Sequence, residues 1–210
     1  MAGLIALVVL QYTAGRFLQV LERLNRSSSA RICSTAFLDC LAILLLASGA
    51  AGVLALVVYA VHQNQYLLIV VAVELFIALE IAALVAVAPE TVQITVSPET
   101  RPDEEALGVW AFLLKLLVKL TPVLFGLGVL HGIVLLSYGM VFLATKKPEV
   151  FLIVTTAFGW LAGAATLPLG VYLVVLTGYL SIALMRAVLE LPRLLETKRS
   201  GPEDHTSEEN

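Results

Sequence analysis

The chain has 210 residues, 60% of them hydrophobic and 14% charged, with a net charge of −3. Soluble domains carry about 25% charged residues, so an ordinary soluble core is excluded. The 13 basic residues are scattered, without the stripe of cations and aromatics that a nucleic-acid surface needs.

In chain order, Met1-Ala2-Gly3 supplies no basic region for a signal peptide, and an uncleaved start is expected. Residues 3–25 begin fully apolar and then turn amphipathic. Gln11, Gly15, Gln19, Glu22 and Arg26 recur at steps of three and four, which places them on one helical stripe. Such a helix suits the membrane interface.

A first span is predicted over residues 36–61, with Ser34 or Thr35 as its N-cap. Its Asp39 falls near one end, in the headgroup zone. Cys33 and Cys40 are seven residues apart, too far for a disulfide within one regular helix. They are expected to be buried packing residues.

A tight connection, His62-Gln63-Asn64-Gln65, leads to a second span over residues 66–88. Residues 89–101 form an extended linker. Within it Thr91-Val92-Gln93-Ile94-Thr95-Val96 alternates as a short strand does. A lone strand is unstable and needs a partner, for which the same strand of a neighbouring subunit is a candidate.

Residues 102–120 repeat the amphipathic pattern, with Pro102 and three acids at the start. Glu104, Gly108, Ala111, Lys115 and Lys119 trace the polar stripe, and Lys115 and Lys119 are expected to reach lipid headgroups. Thr121-Pro122 permits a bend into a third span, residues 121–144.

Pro148-Glu149 makes a good start for a fourth helix, residues 150–190, which is uncharged from Val150 to Met185. That stretch is long enough either for one kinked span or for two spans turning at residues 163–168. Charge favours one span. With four spans, eleven of the 13 basic residues share one side and only Lys146 and Lys147 lie opposite, whereas five spans divide them 7 against 6. Residues 200–210 form a polar tail.

The expected fold is therefore all-α: an integral membrane protein with four transmembrane helices as two helical hairpins. Each hairpin is preceded by an amphipathic interfacial helix. Residues 1–100 and 102–199 make two similar halves, and Leu75–Leu79 weakly echoes Leu180–Leu184. The expected location is a multi-pass membrane protein of a bacterial-type inner or plasma membrane, with both termini cytoplasmic.

Function is sought at the polar groups inside the spans. A charge at the bilayer centre costs about 2.5 kcal/mol or more. Glu74 and Glu80 lie three residues either side of Ile77, about 4.5 Å from the middle of their span. His131 has a similar depth in the third span. Ser48, Ser137, Thr155 and Thr156 are hydroxyl neighbours to consider. Six residues separate the glutamates, so they point about 120° apart. If one meets the bundle, the other meets lipid or another chain.

Small-residue pairs mark expected helix-packing positions: Ala47, Ser48, Ala51 and Gly52, then Gly128 with Gly132, and Gly159 with Gly163. No HExxH, no recognisable Ser/His/Asp motif and no metal-ligand spacing occurs. An enzyme, a cofactor and a metal are thus not expected. The expected role is a non-enzymatic subunit in the assembly of a membrane complex or homo-oligomer. A proton or ion pathway using Glu74, Glu80 and His131 is the alternative. The expected partners are the lipid bilayer and other membrane subunits or copies of this chain.

Overall fold

A computed structural model describes residues 2–27, 30–32, 35–96, 102–144 and 150–199. Among these the chain forms α1 (Ala2–Ser27), β1 (Ala30–Ile32), α2 (Thr35–His62), α3 (Leu67–Val87), a 3-10 turn (Pro89–Val92), β2 (Ile94–Val96), α4 (Pro102–Ala144) and α5 (Val150–Arg199). The expectations at Cys33, Ser34, residues 145–149 with Lys146 and Lys147, and the tail 200–210 lie outside the described residues.

Four helices are long and apolar enough to cross a membrane, within Thr35–His62, Leu67–Val87, Glu104–Val141 and Val150–Leu189. Their apolar side chains largely face outward. In the most apolar stretch of α2 only 11% of residues are buried. A soluble bundle would bury such a face, so this surface suits a multi-pass membrane protein.

α2 and α3 are joined by a tight turn. Asn64 adopts the left-handed conformation at φ 54°, which asparagine tolerates better than most residues. Gln65 N–H donates to Ala60 O at 2.8 Å, closing the α2 C-terminus. α2 packs mainly on α3, and α4 mainly on α5. The α2 contact face runs through Leu38, Ala42, Gly49 and Ala60. Gly49 meets Phe76 and Leu79, and Gly52 meets Leu75. Of the expected packing residues in this span, Ala47, Ser48 and Ala51 are therefore corrected: they lie on the exposed face. Gly49 and Gly52 are the small residues that α3 approaches.

Two expectations about the elements change. Residues 102–120 are not a separate helix, because α4 runs unbroken through Pro122. Proline removes one backbone donor, yet packing on α5 continues on both sides, with Leu114 against Gly178 and Gly128 against Ala164. The Thr121 hydroxyl meanwhile donates to Leu117 O at 2.7 Å. α5 likewise continues through residues 163–168 without a turn. Pro168 is fully buried there, beside Ala164 and Ala165 on the inward face. The second change concerns the strand. Its partner is within the chain, since β2 pairs in parallel with β1, with Ala30 opposite Ile94 and Ile32 opposite Val96.

That pair has a topological consequence. Parallel strands need a long crossover, and here α2 and α3 together supply it. Both strands thus lie at one end of the bundle, the strand end, opposite the turn between α2 and α3. The largest buried cluster sits at the strand end. It joins Ile32, Leu38, Ala86, Val92, Ile94, Phe112 and Ile182 from seven different segments. α1 docks at this end against α5 and α4. Leu21 is buried with Val118, Val171 and Val175, and the Phe17 ring lies 5.5 Å from that of Tyr172. The polar stripe Gln11, Gly15, Gln19, Glu22 and Arg26 stays exposed.

Candidate functional site

The candidate site forms where α3, α4 and α5 meet. Gly132 on α4 has no side chain to hold α5 away, and Leu161 and the Ala157 backbone close in on it. This close approach carries Trp160 over the neighbouring His131, with ring centroids 4.5 Å apart and planes tilted at 52°. From the other side α3 presents Glu74. Its Oε2 lies 3.1 Å from His131 Nδ1, and the two side chains are 13% and 5% exposed.

The pair has the distance of an ion pair but not the alignment of a full hydrogen bond, and Glu74 Oε1 is buried without a partner among the described residues. Both charges stabilise one another only if they are close and otherwise satisfied. A buried carboxylate and an imidazole can share a proton, hold two helices in register, or do both. The contact spans α3 and α4, so it links the first half of the chain to the second.

The nearby hydroxyls do not extend the site. Ser48 donates to Leu45 O, Ser137 to Ile133 O, Thr155 to Phe151 O and Thr156 to Leu152 O. Each thus spends its proton within its own helix, as hydroxyls do in apolar surroundings.

Glu80 stands apart. It is half-buried and makes no ion pair or hydrogen bond among the described residues. Of its four neighbours one turn away, Phe76, Ile77 and Leu84 are 40%, 38% and 62% exposed, and Ala83 is buried. The structure therefore brings Glu74 and His131 together and leaves Glu80 on an outward apolar stripe of α3.

Lys115 departs from the sequence expectation. It is fully buried rather than directed at headgroups. Its Nζ donates to Val92 O at 2.8 Å, Asn25 O at 3.3 Å and Gln93 O at 3.4 Å. Asn25 lies in the last turn of α1, and Val92 ends the 3-10 turn. Carbonyls at helix C-termini lack internal partners and carry partial negative charge, so one ammonium caps two of them. Gly108 and Ala111, on the same stripe, are buried too. Lys119, one turn on, is exposed.

The glycine pairs also divide. Gly128 and Gly132 are close-packing positions against Ala164 and Leu161, whereas Gly159 and Gly163 have nothing within 4 Å of an added methyl. These last two line a groove of about 430 Å³ beside Trp160, with Leu124, Thr156 and Leu167. Cys40 is a free, exposed cysteine on the outer face of α2, not a buried packing residue. Among the described residues no group of three His, Cys, Asp or Glu side chains gathers to hold a metal.

No protein-family model matches the chain, and the searches of curated proteins and of solved structures return no match.

Proposed function

We propose that this protein is a non-enzymatic membrane subunit that assembles with copies of itself or with other membrane chains through α3. The observation that carries this reading is the division of labour between the two glutamates. Glu74 has His131 as its internal partner, while Glu80 has none and sits among outward-facing Phe76, Ile77 and Leu84. A carboxyl facing lipid at this depth is unfavourable. A neighbouring helix bearing a hydrogen-bond donor removes that cost and gains a contact. In this reading the strand end, with both termini, is cytoplasmic, α2–α3 and α4–α5 are membrane hairpins, and α1 lies near the interface.

A proton pathway through Glu74, Glu80 and His131 has less support. Glu80 is not in contact with the other two, and the groove beside His131 and Trp160 is lined by apolar residues and Thr156, whose hydroxyl is engaged in its own helix.

The test compares Glu80→Leu with Glu74→Leu by measuring oligomeric state and co-purifying chains in mild detergent. A hydrogen bond between membrane helices contributes about 0.6 kcal/mol and at most about 1.7. Glu80→Leu should therefore weaken association about 3- to 20-fold while leaving the thermal stability of the monomer intact. Glu74→Leu should instead lower that stability, because it strands His131. Unchanged association in Glu80→Leu overturns the proposal.

A further inference from the structure

A second feature of the strand end has no role in the assembly proposed above. Between α1, α4 and the segment at Thr91 to Gln93 lies a cavity of about 450 Å³. Its charged lining is Glu22, Arg26 and Lys119, a net charge of +1. Arg26 and Glu22 pair with each other at 2.5 Å, which leaves Lys119 as the cation without an ion pair or hydrogen bond among the described residues. Asn25 also lines the cavity, and its Oδ1 is buried with no hydrogen-bond partner among the described residues.

The walls are graded. Leu18 and Pro122 form the side nearer the middle of the bundle, and Asn25 and Gln93 the side nearer the strands. Buried Lys115 fastens the carbonyls of Asn25 and Gln93 to α4, so the polar side is held in place.

Depth selects the ligand. Lys119 precedes His131 by twelve residues, about 18 Å along a straight helix. His131 is level with Glu74, itself about 4.5 Å from the middle of α3 on the turn side. Lys119 then stands about 13 to 14 Å from the midplane, close to the ~15 Å limit of the hydrocarbon. Phosphate esters of lipids occupy the layer just beyond.

We propose that this cavity binds the phosphate-bearing headgroup of a glycerophospholipid. The phosphate meets Lys119, and the first acyl methylenes pass over Leu18 and Pro122. The inference rests on the membrane reading of the spans but not on the Glu80 interface.

The test uses the full chain, delipidated in maltoside micelles, and reads the thermal midpoint as ligand is added. Four probes separate the sources of the signal: phosphatidylglycerol, diacylglycerol, glycerol phosphate and inorganic phosphate. Phosphatidylglycerol should raise the midpoint saturably, and diacylglycerol should not. Lys119→Gln should weaken the apparent affinity for phosphatidylglycerol about tenfold, the effect of losing one charge-assisted hydrogen bond. Arg186→Gln removes the same charge from an exposed site on α5 and should leave that affinity unchanged. Lys119 is exposed, so its variant should fold. Equal affinity in wild type and Lys119→Gln overturns the proposal. So does full stabilisation by inorganic phosphate or glycerol phosphate alone, which would assign the cavity to a free phosphate ester. Alkaline washing of membranes keeps the two readings apart. Protein released by the wash contradicts the membrane reading, whereas protein retained but indifferent to Lys119 contradicts only the headgroup site.

Discussion

Three side chains show how a charge can be kept in so apolar a chain. Lys115 is buried because it meets three carbonyls, two of them at helix C-termini, where partial negative charge collects. Glu74 meets an imidazole, and Glu80 makes no ion pair or hydrogen bond among the described residues. Lys115 carries the clearest single-residue prediction. Lys115→Met keeps the length and loses the donors, so α1 and the linker lose their common tie to α4. Leaving a buried acceptor unmet costs about 1–3 kcal/mol. Lys115→Met should lower stability by about that amount and speed proteolysis after Arg23 and Arg26, read by the rate of cleavage in detergent. Unaltered cleavage would show that the ammonium does not hold α1. The depth and the angular separation of the glutamates were legible in the sequence, because helical geometry fixes both. Which one meets His131 was not, because that depends on how α3 is rotated against α4. The inward turn of Lys115 was missed because its partners are backbone carbonyls 22 to 90 residues away, which no local pattern records.

At the scale of elements, close helix approach is set by particular glycines: Gly128 and Gly132 on α4 and Gly178 on α5 meet the facing helix, whereas Gly159 and Gly163 do not. A methyl added at Gly128 would come within 2.9 Å of the Ala164 Cβ, which cannot rotate away. Gly128→Ala should therefore separate α4 from α5 and cost about 1–3 kcal/mol. At Gly159 the same change meets open space, and the better helix propensity of alanine adds about 0.8–1.0 kcal/mol in its favour. Thermal midpoints of the two variants in one detergent should move in opposite directions, and a common direction would contradict the seam described here. The limits of α2 and α3 were readable to within a residue or two, since apolar runs end at polar turns. The break expected at Thr121-Pro122 does not occur, because packing between α4 and α5 outweighs the local effect of the proline, and α5 runs through residues 163–168 as the single-span reading expected. β1 escaped notice because three residues, Ala30–Ile32, are too few to show alternation. Its partner β2 was visible only because a longer alternating run surrounds it.

The whole molecule is a set of four long apolar helices with its densest packing at one end. The strand pair, the 3-10 turn, α1 and the first half of α4 converge there, and Lys115 joins three of these four segments. Toward the other end the helices share fewer neighbours, and large apolar residues such as Val58, Met140 and Phe151 face outward. A bilayer covers such surfaces without discrimination, but it does not satisfy Glu80. The central claim is therefore that the outward stripe of α3 is covered by protein, not by lipid alone. The direct measurement is photo-crosslinking in native membranes, with the reactive group placed singly at Ile77, at Leu84 or at the control position Leu54 on α2. We expect discrete protein adducts from positions 77 and 84, none from position 54, and loss of those adducts when Glu80 is replaced by leucine. Lipid adducts alone from all three positions would contradict the account.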